Sequence, residues 1–175
     1  MARNPTHKRI LEIISAQKRA TSLDLWVPKK NNTFVELRTS LELNGFIESG
    51  IDLFIQCKTA HPEENVAVGI NIETQEKPKC CARIDWRASP HVNTSGLCGE
   101  HKFLDAGQSH FHDPRLHDTA IDVMEFLKQN LPIATALDPE PKDFIGLLET
   151  CATLLNVTNL QDTKTPPWQP KTTFL

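Results

Sequence analysis

At 175 residues the chain fits one domain, because two halves would each be short of core. Apolar residues make up 39% and charged residues 23%, a globular rather than a disordered composition, and no apolar run reaches the roughly 18 residues of a membrane helix. The net charge of −3 is uneven: residues 1–30 hold seven Lys and Arg against Glu12 and Asp24, a surplus of five, which leaves −8 on the remainder. Such a basic segment reads as a contact for nucleic acid or an acidic partner, or as a solvated face pairing with the protein's own acidic surface. The N-terminus lacks the apolar stretch of a signal peptide. The five cysteines are odd in number and follow no framework spacing, so they read as reduced thiols of a soluble, cytoplasmic protein. No C-x-x-C pair occurs, which excludes a four-cysteine zinc site.

Asn4-Pro5-Thr6 predicts a helix start, with Ile10, Leu11, Ile13 and Ile14 as its apolar stripe and an end near Thr21-Ser22. Leu25–Val27 is a short strand candidate. Phe34–Leu43 alternates, with Val35, Leu37, Thr39, Leu41 and Leu43 on one side. Asn44-Gly45 and Ser49-Gly50 read as turns. Ile51–Lys58, Val66–Glu73 and Lys79–Arg87 alternate in the same way, which predicts an antiparallel meander with one buried face. Asp118–Leu131 and Asp143–Asn156 switch to helical spacing, the second with a stripe of Phe144, Leu147, Leu148, Cys151, Leu154 and Leu155. Together these elements predict an α+β fold. It has an antiparallel sheet of five or six strands, an N-terminal helix and two C-terminal helices packed on one face. The domain spans residues 1–161, and a Pro-rich tail, 162–175, follows. Trp168 and Phe174 in that tail are candidates for docking on the body or on a second copy, a route to a homo-oligomer.

The chemistry concentrates between Arg83 and His112, where four of the seven histidines lie. On a strand through Lys79–Arg87, Ala82, Ile84 and Trp86 face one side. Cys81, Arg83, Asp85 and Arg87 face the other, a carboxylate between two guanidinium groups. His110 and His112 share one face of a second short strand, and Phe111 is its core residue. If the two strands pair, the histidines join Arg83 and Asp85. The intervening loop of more than twenty residues, with His91, Asn93, Gly96, Cys98, Gly99 and His101, is long for a small domain, and long loops are often functional. His7, His61 and His117 read as surface residues.

Three readings compete. In the first, His110 and His112 act as general acid and base on a phosphodiester. Arg83 or Arg87 binds the phosphate, Asp85 orients a histidine, and His91 with Asn93 positions substrate: a metal-independent endoribonuclease. In the second, His110 and His112 with His101, Cys98, His91 or Asp85 hold zinc or a similar divalent ion, although no cofactor is favoured and the spacing matches no established zinc motif. In the third, the polar face binds a partner or simply hydrates. No phosphate-binding glycine loop, G-x-S-x-G elbow or H-E-x-x-H motif occurs.

The succession Arg83-Ile84-Asp85, His91-x-Asn93, Gly96 and His110-x-His112, followed by Glu125-Phe126-Leu127, resembles a family of small prokaryotic proteins of toxin–antitoxin or phage-defence type. The resemblance covers roughly residues 50–130, and the segment 97–109, which adds Cys98 and His101, departs from it. It implies a shared site; together with the strand parity and the histidine and arginine chemistry above, the expectation is a nuclease-like effector of toxin or defence type that cleaves RNA. The alternative is a non-enzymatic protein-binding module, such as an antitoxin-like or anti-defence inhibitor.

Overall fold

The structure, a computed structural model, describes residues 4–29 and 33–169. Thr6 caps the first helix, α1 (His7–Ser15), by accepting from the Arg9 amide. The helix stops short of Thr21 because Lys18 folds back beneath it. Lys18 is 1% exposed, and its ammonium donates to the carbonyls of Ile13, Ile14 and Ala16 at 2.6, 3.0 and 2.6 Å. A cation thus takes up carbonyls that the last turn leaves unpaired, at the negative end of the helix dipole. Lys18–Ala20 then becomes a strand, β1.

Strands β2 (Trp26–Lys29), β3 (Phe34–Leu43), β4 (Phe46–Lys58), β5 (Val66–Ile72) and β6 (Lys79–Trp86) follow. A second, two-stranded sheet pairs β7 (His91–Val92) with β8 (Asp105–Gly107). β9 (His110–His112) and β10 (Thr135–Ala136) return to the main sheet. That sheet has eight antiparallel strands in the order β1-β3-β4-β5-β6-β9-β10, with β2 also on β3. It exceeds the expected five or six strands because β1 and β10, of three and two residues, are too short to show an alternation. The Asn44-Gly45 turn forms as expected, both residues taking positive φ between paired Leu43 and Phe46. Ser49-Gly50 does not turn. β4 runs through it, and the register with β3 shifts between Ser40 and Glu42 to absorb the extra residues.

One face of the sheet buries Val35, Leu37, Leu53, Ile55, Val68 and Ile84 against α1 and two later helices, α2 (Val123–Lys128) and α3 (Phe144–Leu155). α3 matches its predicted span, with Asp143 as cap and Asn156 in the left-handed conformation at its end. α2 is shorter than predicted. The Asp118 and Asp122 side chains accept from the amides of Ala120 and Met124, so residues 118–122 form a turn and the helix starts after it.

The tail as far as Gln169 packs on its own body. The Lys164 amide donates to Leu23, the Gln169 amide donates to Thr59, and Trp168 meets Phe144 edge-on at 5.2 Å. Phe174 lies outside the described residues. In the basic N-terminal segment Lys8 and Arg9 pair with Glu12, Arg9 also with Glu48, and Lys29 with Glu36. Among the described residues no helix is long and apolar enough to cross a membrane.

Replacing Lys18 by alanine strands three carbonyls and should lower stability by about 2–3 kcal/mol in urea titration. Lys8→Ala, which removes only an exposed pair, should change it by less than about 0.5 kcal/mol. Equal effects would remove Lys18 from its capping role.

Candidate functional site

β6 and β9 pair directly, in the register Arg83↔His112, Ile84↔Phe111 and Asp85↔His110. The long connection permits this because it is itself folded. Its ends are closed by the Ala88 amide donating to Gln108 and the Arg87 amide donating to the Ser109 hydroxyl, and β7 and β8 pair within it. Phe111 enters the core, and His110 and His112 share the opposite face with Arg83 and Asp85. That face carries polar residues along most of the sheet, but here the connection and the segment after α2 cover it, leaving the two histidines 3% and 1% exposed.

The Asp85 carboxylate organises the cluster. Its Oδ2 lies 3.3 Å from Nε2 of both His110 and His112 and accepts from Arg83 Nε at 2.8 Å. Burial alone would raise its pKa, but hydrogen bonding to His110 and the Arg83 charge hold it far below the usual carboxylate range. The third ring, His91, has its centroid 5.2 Å from His110 and 4.9 Å from His112. One nitrogen from each of His91, His110 and His112 lies within 4.8 Å of the other two, so this group could hold a metal ion.

Backbone carbonyls fix the rings. His110 Nδ1 donates to Gly107 at 3.0 Å and His112 Nδ1 to Leu131 at 2.5 Å, while His91 Nε2 faces the Pro132 carbonyl at 3.4 Å. Since carbonyls only accept, Nδ1 of His110 and His112 carries the proton and Nε2 turns toward Asp85. Arg83 Nη2 donates to His112 Nε2 at 2.9 Å, which requires that nitrogen to be unprotonated. Burial and the Arg83 charge agree with this by lowering the His112 pKa, with Asp85 opposing them. His110 Nε2 lies 3.3 Å from the same carboxylate oxygen.

The other predicted residues separate by role. Asn93 is fully buried and its amide is committed to backbone: it donates to His101 and Ala134 and accepts from the Ala134 amide. It fixes the connection that carries His91 and does not reach outward to a substrate. Arg87 leaves the polar face, because a left-handed φ of 48° breaks the alternation after Trp86. Its guanidinium lies 4.4 Å over the Trp86 ring and donates to the Lys142 carbonyl. Cys98 and His101 are not in the three-histidine group. Cys98 is buried with its thiol toward the Pro132 carbonyl, and His101 sits by Glu100. Burial raises every thiol, Cys57 and Cys80 to about 12. Cys81 was expected beside Arg83 but faces the core: a bulge between Ile70 and Asn71 skips it and puts Cys80 on the polar side.

Sequence reasoning missed the carbonyls of Gly107, Leu131 and Pro132, since any residue supplies a carbonyl. It also misplaced His117, which is buried, stacked 4.1 Å from the Phe126 ring, with Nε2 unpartnered. Burial, and secondarily His7, lowers its pKa to about 4.

Two expectations follow from these placements. Asn93→Ala leaves the Ala134 amide and two carbonyls without their partner and should cost about 2–4 kcal/mol in chemical denaturation. A cost below 1 kcal/mol would show that the connection holds without it. The folded state resists protonating His117, while the unfolded chain takes a proton near pH 6.5. Its contribution is therefore flat above that pH and lost as pH falls toward 4, about 2 kcal/mol by pH 5. His117→Phe keeps the stack and should flatten this acid limb in urea midpoints measured from pH 7.5 to 4.5. An unchanged limb would count against the assignment.

Comparison of the chain with protein-family models, curated proteins and solved structures finds no match, so the site is read from its own geometry.

Proposed function

We propose that the protein is a hydrolase that cleaves a phosphodiester, with RNA as its substrate, and that His91, His110 and His112 hold a divalent ion of the zinc class. One observation carries the reading: three imidazole nitrogens converge while backbone carbonyls engage the far side of each ring, an arrangement that orients histidine ligands. A bound ion of this class activates water near neutral pH and polarises a phosphoryl oxygen. For the ion to take His112 Nε2, Arg83 Nη2 would turn away from that nitrogen to the phosphate, with Arg83 Nε still held by Asp85.

This arrangement is favoured over His110 and His112 as a free general acid and base. Both rings aim at the same Asp85 oxygen and are nearly inaccessible, so they do not flank a phosphate. RNA is the phosphodiester whose own 2′-hydroxyl suits histidine and arginine chemistry, and the resemblance to toxin–antitoxin and defence proteins supports an effector role. The second reading is a non-enzymatic protein-binding module, an antitoxin-like or anti-defence inhibitor. Its support is the β3–β4 hairpin tip, where Phe46 and Ile47 are 79% and 66% exposed.

The test is metal analysis of the purified full chain together with cleavage of labelled RNA. About one ion per chain should be found. Cleavage should stop with a chelator and return with zinc, and His110→Ala/His112→Ala should lose the ion and on the order of 100-fold in rate or more. Chelator-resistant cleavage would return the chemistry to paired imidazoles. A wild type no better than the double variant would sink the hydrolase and leave the binding module.

A further inference from the structure

The outer face of the sheet leads to the cluster in two cross-strand rows. The first runs Phe54↔Gly69↔Arg83↔His112, and the second Gln56↔Ala67↔Asp85↔His110. In each row β5 contributes the smallest member, a glycine or an alanine. The glycine is required by packing. A Cβ on Gly69 would lie 2.7 Å from both the Phe54 ring and the Ala82 carbonyl, so only glycine lets the Phe54 ring lie across β5. In the adjacent row Ala67 adds just a methyl group. The sheet is therefore hollowed, and a cavity of about 380 Å³ opens there. Phe54 and Gln56 line it on one side and Arg83 and Asp85 on the other. Arg83 and Asp85 belong to both the cavity and the histidine cluster, so whatever fills the hollow abuts the reacting centre.

We propose that this hollow is the subsite for one nucleobase of the substrate strand. The inference rests on the phosphodiester reading above and names what that site recognises. An aromatic ring offers a surface for a planar heterocycle, and the Gln56 amide offers both a donor and an acceptor to its edge. Arg83 takes the phosphate that follows. The hollow has the size of a small-ligand site and excludes a base that is still paired, so the substrate is single-stranded here. A second cavity, of about 650 Å³, continues from the first through Asn65 and Ala88 and includes Lys58 and Arg87. Glu64 and Glu140 line it as well, so this extension offers room for the chain beyond the base with mixed charge.

Calorimetric titration of the metal-loaded full chain with AMP, CMP and ribose 5-phosphate tests the assignment. Both nucleotides should bind at least about tenfold more tightly than the sugar phosphate, the difference being the base. Ala67→Leu fills the floor of the hollow and should erase that difference while metal content stays at the wild-type value. Gln56→Ala, a milder change on an outward-facing position, should reduce it severalfold. Equal binding of nucleotide and sugar phosphate to the wild type would overturn the subsite. So would an undiminished preference in a metal-loaded Ala67→Leu protein. If the chain binds no metal and cleaves no RNA but still prefers nucleotides in an Ala67-dependent way, the subsite stands and the hydrolase falls. Intact metal-dependent cleavage without any base preference has the opposite meaning.

Discussion

A half-buried carboxylate between two imidazoles and a guanidinium is the constraint on which the β6–β9 end of the sheet depends. Asp85 is ionised, largely removed from water and close to nitrogens on three side chains. A buried charge persists only where partners replace its hydration. The β6–β9 register supplies those partners by bringing Arg83 and Asp85 opposite His112 and His110. A shift of one residue would send the histidines into the apolar layer and bring Phe111 out. The folded connection, the β7–β8 pair and β10 on the far side of β9 all serve to hold and cover this register.

The same sheet face behaves differently a few strands away. There Arg38 reaches Glu36 and Asp52, and Asp52 accepts from Asn71, in contacts that remain partly hydrated. Such pairs contribute little to stability. At β6 and β9 a similar inventory of charges has been moved under cover, where each interaction is stronger and each missing partner costs more. Burial, more than composition, turns one end of a polar surface into a place where chemistry can be concentrated.

Period-two parity was enough to make the cluster legible in the sequence. It placed Arg83 with Asp85 and His110 with His112, and it put Phe111 in the core. It failed where the backbone departs from regularity: one extra residue turns Cys81 inward, and a positive φ swings Arg87 off the face. It also passed over Gly69, whose meaning depends on a ring from the neighbouring strand. Helical periodicity found α3, whose cap and apolar stripe agree. It overextended α2, where two aspartates compete for the backbone amides. Asn93 stood out as a polar residue near histidines, but Ala134, which its amide meets twice, lies 41 positions away, and no local pattern encodes that.

The segment after α2 works mainly through its main chain. Asn130 and Leu131 both hold positive φ, and the carbonyls of Leu131 and Pro132 meet two of the three rings. An orienting group without a side chain leaves no identity for substitution to erase. The stretch can change its residues, as long as its path survives, while the rings keep their directions. Divergent copies of this architecture would then be traced by the spacing Arg-x-Asp, His-x-Asn and His-x-His across a closed connection. The residues that aim the site would vary unseen.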